Sequence, residues 1–178
     1  MTWRRVALYW VLFGVALAYF AASIPVPGDG PTTETAMAPP VVPVHLDRLA
    51  EVEIERAGGR IRVGQEAGHW RVLDPAGLRI PADLIATFVV TLAEATPIEQ
   101  VAPGTAPPGF GLEAGATRVA FYERGHEAPV RVVLGAPNPT RTAIYAEVEG
   151  QPGVVLLGRV LAYYADRLFE EIERPPEP

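Results

Sequence analysis

The hydrophobic positions of this chain fall into three patterns that follow one another along the sequence. Residues 6–24 are a run of 19 residues without a charge. Residues 25–43 contain six prolines and no helical period. From Val44 onward, stretches that alternate apolar and polar residues are interspersed with stretches whose apolar residues lie three or four apart. The pattern predicts an apolar helix, an extended tether and one folded domain, in that order.

The apolar run is long enough to cross a bilayer once, because a helix of that length spans about 28 Å. Two arginines precede it and the next arginine is Arg48, so the positive-inside rule predicts a cytoplasmic N-terminus and an exported domain. Arginine without lysine is typical of a GC-rich bacterial genome, so we expect the span in a bacterial inner membrane and the domain in the periplasm. The residues expected at the membrane interface are Trp3, Arg4, Arg5 and Tyr19. The competing interpretation is a cleaved signal peptide, although its apolar region is typically shorter, roughly 7 to 15 residues.

Three small residues, Gly14, Ala18 and Ala22, recur at intervals of four within the predicted span. Residues at this spacing share one face of a helix, and small side chains there let a second helix approach closely. We therefore expect this face to contact integral membrane protein subunits, with lipid around the rest. The alternative is that alanine is simply common in such helices.

The domain begins with a pattern typical of a β-hairpin. Val52 and Ile54 alternate with glutamates, and a turn at Gly58 leads into a second alternating stretch. The outward side chains expected to form an opposite-charge ladder across the two strands are Glu53, Glu55, Arg60 and Arg62. Reading the glutamates as a metal or acid–base cluster is the alternative.

Two later segments, residues 85–92 and 161–168, carry apolar side chains at helical spacing. Each follows a set of short strands, so the order strands then helix occurs twice. We expect an α+β domain over residues 44–173, in which an antiparallel sheet carries both helices on one face. The repeated order indicates a degenerate duplication, and residues 174–178 are expected to be a frayed tail.

Several short motifs of the domain carry a family resemblance. They are Gly68-x-Trp70-Arg71-Val72 with Pro75, Ala82-Asp83, Phe110-Gly111-Leu112, Leu134-Gly135 and Tyr145-Ala146. In this order and spacing they resemble the domain-of-unknown-function family numbered 4340, over most of residues 44–172. The resemblance implies a tether to the bacterial envelope and, as in many members, partnership with gliding-motility-type ABC transport systems. It implies no catalytic residues.

Composition and candidate chemistry narrow the function further. The 15 cationic residues are all arginine and the net charge is −6, so nucleic acid is not an expected partner. There is no cysteine, the one serine is Ser23, and no Gly-x-Ser-x-Gly elbow occurs. His45, His69 and His126 lie in separate stretches rather than at metal-ligand spacing. The sequence therefore predicts no enzyme, no cofactor and no metal site.

A proline-flanked stretch between two predicted strands contains Asn138, Thr140 and Arg141. Its structural interpretation is a tight connection, and its functional interpretation is a docking loop, because a preorganised loop loses less entropy on binding. The leading hypothesis is a non-enzymatic, membrane-anchored periplasmic accessory or scaffold subunit of a larger membrane complex. The alternative is a periplasmic ligand- or polymer-binding module associated with an ABC transport system.

Overall fold

The computed structural model describes residues 39–66, 68–101 and 109–173, together with Trp3, Trp10, Phe13, Gly14 and Tyr19. The chain divides into two compact units, Met1–Met37 and Ala38–Pro178. In the first unit the five described positions are helical. The rings of Trp10 and Phe13 meet edge to face at 6.1 Å.

The second unit contains eight strands and two helices among its described residues. The strands are β1 (Leu49–Arg56), β2 (Gly59–Glu66), β3 (His69–Asp74), β4 (Glu99–Gln100), β5 (Thr117–Glu123), β6 (Val130–Pro137), β7 (Ala143–Val148) and β8 (Val155–Gly158). The helices are α1 (Ala82–Ala93) and α2 (Val160–Glu173). All strands join one antiparallel sheet in the order β3-β2-β1-β5-β6-β7-β8-β4. This confirms the predicted α+β class with an antiparallel sheet and two helices.

Inside the sheet β1 pairs with β5 antiparallel, so that Val52 lies opposite Phe121 and Ile54 opposite Val119. All four side chains are buried. From this pair, β2 and β3 extend the sheet to one side, and β6, β7, β8 and β4 extend it to the other. We call β1–β3 with α1 the first half, and β5–β8 with α2 the second half. The short strand β4 was not predicted, because two exposed residues carry no readable period.

The first hairpin forms as predicted. Gly58 adopts a φ of 100° in the turn, a conformation that favours glycine. In the register of β1 and β2, Glu53 lies opposite Arg62 and Glu55 opposite Arg60. The charged ladder therefore occupies the face of the sheet that points away from the core.

Both helices bury their predicted apolar stripes. In α1 the buried residues are Ile85, Phe88, Val89, Leu92 and Ala93. In α2 the buried residues include Leu161, Ala165 and Leu168. These side chains belong to the same buried cluster as the inward-facing residues of the strands. Since burying each large apolar side chain contributes about 1.5–3 kcal/mol, this shared core is what holds sheet and helices together.

The folded unit begins earlier than the boundary at Val44 that the sequence predicts. Val41 and Val42 are buried at 6% and 1% exposure. The backbone N–H of Val41 donates to Ala95 O at 2.8 Å, and Gln151 Nε2 donates to Val41 O at 2.7 Å. Two adjacent valines after two prolines resemble a linker in sequence, but here they contribute to the core.

Candidate docking surface

The connection between β6 and β7 is fixed by the side chain of Asn138. Its Oδ1 accepts the backbone N–H groups of Thr142 at 2.9 Å and Ala143 at 3.1 Å. Its own backbone N–H donates to Ala143 O at 2.9 Å, and Thr140 Oγ1 lies 2.9 Å from Thr142 Oγ1. Asparagine suits such a turn because its amide oxygen replaces a backbone acceptor. The loop is therefore held in one conformation.

The fixed loop presents Arg141 in an unusual backbone conformation. Its φ is 57°, and it is the one non-glycine residue with positive φ among those the structure describes. A side chain there costs about 1 kcal/mol or more relative to ordinary helical or extended backbone. Its backbone N–H donates to Asn138 O at 2.8 Å, and its carbonyl accepts Nη1 of Arg159 at 3.2 Å. Two guanidinium-bearing residues are thus joined where the loop meets the start of α2.

Apolar side chains are exposed on the first turn of α2, beside Arg159. Val160 is 44% exposed and Tyr163 is 57% exposed. In the described part of the chain, neither Arg141 nor Arg159 forms an ion pair with a carboxylate. We define the arginine corner as Asn138, Thr140, Arg141, Arg159 and Tyr163. It combines fixed backbone, available guanidinium groups and an exposed aromatic ring.

The face of the sheet that points away from the core forms a second surface, which we call the open face. A cavity of about 370 Å³ lies over β1, β5, β6 and β7. Its charged and aromatic lining residues are Glu53, Glu55, Arg118, Tyr122, Arg131, Glu147 and Glu149. Arg131 pairs with Glu149 at 3.0 Å, and Arg118 donates to Glu113 O at 3.2 Å. Within the described residues Glu55 and Glu147 have no ion-pair partner.

At the edge of this face the predicted charge ladder is only partly an ion-pair ladder. Arg62 Nε donates to Glu51 Oε1 at 2.6 Å and lies 3.7 Å from Glu53 Oε2. This hydrogen bond raises the pKa of Arg62 above its ordinary value, and the charge of Glu51 acts in the same direction. Arg60 lies 4.0 Å from Glu53 and 3.7 Å from Asp74. The ladder neutralises much of the first hairpin's charge.

Three of the motifs that carry the family resemblance meet at one structural contact. Phe110 stacks on Tyr145 with ring centroids 4.0 Å apart, and its carbonyl accepts the N–H of Ala136 at 2.7 Å. A Cβ at Gly111 would lie 2.6 Å from Ala136 N, and one at Gly135 would lie 2.9 Å from a methyl of Leu112 and closer still to Phe110 O. Glycine is required at both positions because the two chain segments approach too closely for a side chain. These three motifs therefore contribute to one packing contact.

The histidines lie at exposed positions, but two of them share a partner that the sequence did not indicate. His45 and His126 both approach the carboxylate of Glu123, which is buried. Seventy-eight residues separate His45 from Glu123, so no local spacing signalled the contact. No group of three histidine, aspartate or glutamate side chains is arranged to hold a metal ion in the described part of the chain.

The predicted membrane contact residues are described in part. Gly14, Trp3 and Tyr19 are helical, and both aromatic side chains are exposed. Ala18, Ala22, Arg4 and Arg5 lie outside the described residues, as do residues 25–38 of the predicted tether and the predicted tail. Among the residues with described structure, no helix has the length and hydropathy needed to cross a bilayer.

No family model, curated protein or solved structure matches this chain. The resemblance to the domain-of-unknown-function family numbered 4340 therefore stays a prediction.

Proposed function

We propose that this protein is a non-enzymatic, membrane-anchored periplasmic accessory subunit, which docks onto a larger membrane complex through the arginine corner. The observation that carries the proposal is the fixed loop that presents Arg141 beside Arg159. The chain has a net charge of −6, but Arg159 Nη1 donates to Arg141 O, and within the described residues neither arginine forms an ion pair with a carboxylate. This corner is therefore positive on an otherwise acidic chain. Such a surface favours an acidic partner, and guanidinium groups bind carboxylates in a defined, often bidentate geometry.

The mechanical properties of the corner support a docking role. A loop that is already ordered loses little conformational entropy when it binds, so more of the contact energy contributes to affinity. Arginine and tyrosine are also enriched among the side chains that dominate protein–protein binding energies. Tyr163 adds an exposed aromatic ring next to the charges. The positive φ of Arg141 fits the tendency of backbone strain to occur at functional positions.

The membrane anchor is part of the same proposal and rests on the sequence. Residues 6–24 are uncharged and follow two arginines, which favours a single span with a cytoplasmic N-terminus. Four described aromatic residues near or within this run are helical and exposed: Trp3, Trp10, Phe13 and Tyr19. We propose that they contact membrane lipid, and that Gly14, Ala18 and Ala22 face an integral membrane subunit.

The topology also favours a degenerate internal duplication with both helices on one face of the sheet. β1 and β5 pair with each other, and each begins an antiparallel meander that is followed by a helix. The Arg-x-x-x-Gly spacing from Arg60 to Gly64 recurs from Arg131 to Gly135. In both strands the residue directly before the glycine, Val63 or Leu134, is buried in the core.

The proposal is tested by isolating the full-length chain in mild detergent with its partners. Wild type is compared with the double variant Arg141→Glu/Arg159→Glu. The control is the double variant Arg60→Glu/Arg131→Glu, which makes the same change in net charge on strands β2 and β6, away from the arginine corner. We expect an integral membrane protein to co-purify at fixed stoichiometry with wild type and with the control, and to be lost from the corner variant. Retention by the corner variant would show that docking occurs elsewhere. Recovery of wild type as free monomer would contradict the function itself.

A second candidate function, a ligand- or polymer-binding module, is favoured by the cavity of the open face. Its volume of about 370 Å³ falls in the range of small-molecule sites. Tyr122 and Arg118 lie in its lining, where Arg118 is opposite Glu55 in the register of β5 and β1. Cell-wall fragments in excess over their dissociation constant would raise the thermal midpoint of the full-length protein. An Arg118→Ala/Tyr122→Ala variant should lose that shift, and an unchanged midpoint across a fragment panel would count against this function.

A further inference from the structure

Glu123 lies at the end of β5. Among the residues that the structure describes, it is the one charged residue that is buried. Its side chain is 6% exposed. Oε1 accepts the backbone N–H of His45 and lies 3.5 Å from His45 Nδ1. Oε2 lies 3.4 Å from His126 Nδ1. A buried carboxylate is costly unless it is compensated, and both of its oxygens face an imidazole.

The position of this cluster connects the entrance of the folded unit to the sheet. His45 follows the buried pair Val41 and Val42 and precedes β1, whereas His126 lies in the turn after β5. The backbone N–H of Arg124 also donates to Arg48 O at 2.8 Å, which joins the same two turns. The cluster therefore acts where the chain enters the domain.

Other charged groups lie in these turns but do not compensate Glu123. Asp47 and Arg48 lie in the turn before β1, and Arg124 and Glu127 lie in the turn after β5. All four are exposed. Within the described residues none of them forms an ion pair with the Glu123 carboxylate. On β1, the residue opposite Glu123 is the buried Leu49. The two imidazoles are thus the groups whose charge matters most to this carboxylate.

We infer that His45, Glu123 and His126 form a proton-dependent clamp. In mildly acidic surroundings it fastens residues 41–48, the segment before β1, to the sheet. Among the described residues, the hydrogen bond that the carboxylate accepts whatever the charge of the imidazoles is the one from the backbone N–H of His45. Protonated imidazoles place a positive charge 3.4–3.5 Å from each oxygen. Histidine changes charge at about pH 5 to 8, so the attachment strengthens as pH falls through that range and weakens as pH rises. This inference does not depend on the proposed docking function.

The clamp is tested by hydrogen exchange on the full-length protein in detergent, with EDTA present. Protection of the Val41 and Val44 amides, whose N–H groups donate to Ala95 O and Val42 O, is measured at pH 6 and pH 8 and corrected for intrinsic exchange. In wild type we expect protection about tenfold higher at pH 6, as for one charge-assisted contact. The variants His45→Gln and His126→Gln should reduce this ratio, and Glu123→Gln, which keeps an acceptor without the charge, should bring it close to one.

His69→Gln serves as the matched control, because His69 is exposed on β3 and makes no ion pair among the described residues. It should keep the wild-type ratio. A wild-type ratio near one, or an equal loss of the ratio in His69→Gln, would overturn the clamp. So would a gain in protection that needs added Zn²⁺ and disappears with EDTA, since the cluster would then bind metal rather than protons.

Discussion

Gly64 in β2 and Gly135 in β6 occupy matching places in the two halves of the sheet, but different groups pack against them. Each directly follows a buried core residue, Val63 or Leu134. A Cβ at Gly64 would lie 2.7 Å from a terminal methyl of Leu73, a side chain that is 41% exposed. At Gly135 the obstruction is the main chain of residues 110–111 together with a leucine methyl. A Cβ at Gly64 would therefore meet a side chain, whereas a Cβ at Gly135 would meet backbone as well.

The connections that follow these strands differ in the same direction. β2 ends at Glu66 and β3 begins at His69, whereas β6 ends at Pro137 and β7 begins at Ala143. The fold therefore needs only a tight turn at this place, and the second half has a longer loop that Asn138 holds fixed. Because the loop is longer than strand pairing requires, its extra length favours the proposed binding role.

The largest expected effect comes from adding a methyl group to each glycine. Gly135→Ala should lower the free energy of unfolding by about 2–3 kcal/mol, because the backbone over Gly135 cannot yield without losing the Phe110–Ala136 hydrogen bond. Gly64→Ala should cost less than about 1 kcal/mol, since Leu73 is free to rotate away. Urea unfolding of the full-length chain in mild detergent, followed by near-ultraviolet circular dichroism, measures both.

Gly115→Ala is the control for this pair, because a Cβ at Gly115 meets nothing within 4 Å and its φ is not positive. It should be neutral or slightly stabilising. Equal losses for Gly64→Ala and Gly135→Ala would remove the distinction between the two halves.

The sequence predicts features that depend on neighbouring residues, but not contacts between residues that are distant in the chain. Alternation in β1 and β2 and the helical stripes of α1 and α2 depend on neighbours a few residues apart, so the hairpin, the helices and the α+β class followed from pattern. The contact of Phe110 with Tyr145 and the meeting of His45 with Glu123 join residues that are distant in the chain. No local period encodes such contacts. The pattern likewise places Val41 and Val42 in the tether, because the hydrogen-bond partners of Val41, Ala95 and Gln151, are distant in the chain.

Loss of the asparagine side chain should give the next largest effect. Asn138→Ala leaves two backbone N–H groups without their acceptor, so we expect a loss of about 1–2 kcal/mol in the free energy of unfolding. Partner recovery should fall further, because the loop is no longer preordered. Thr140→Ala is the control, since it removes a single hydroxyl contact on the exposed loop. If Asn138→Ala unfolds like wild type, the loop of the second half is no more constrained than the turn of the first.

Arg141→Gly separates strain from binding at the arginine corner. Glycine adopts a φ of 57° without a steric penalty, so the variant should be more stable by about 0.5–1 kcal/mol. The same variant should lose the co-purifying membrane protein, because one of the two guanidinium groups is gone. Urea unfolding and detergent purification on the same preparation give both readouts. A gain in stability with full partner recovery would leave the strain without a functional explanation.

The smallest effect is expected where the two halves are most alike, at the matching arginines Arg60 and Arg131. Arg131 lies 3.0 Å from Glu149, whereas Arg60 lies 3.7 Å from Asp74 and 4.0 Å from Glu53. Despite the shorter contact at Arg131, both side chains are more than half exposed, and exposed ion pairs contribute only about 0–1 kcal/mol. Arg60→Gln and Arg131→Gln should therefore each change the free energy of unfolding by less than about 0.5 kcal/mol, with little difference between them in urea unfolding at low and high salt. A clearly larger, salt-sensitive loss for Arg131→Gln would mean that the second half is reinforced by charge on its open face as well as by backbone packing at Gly135.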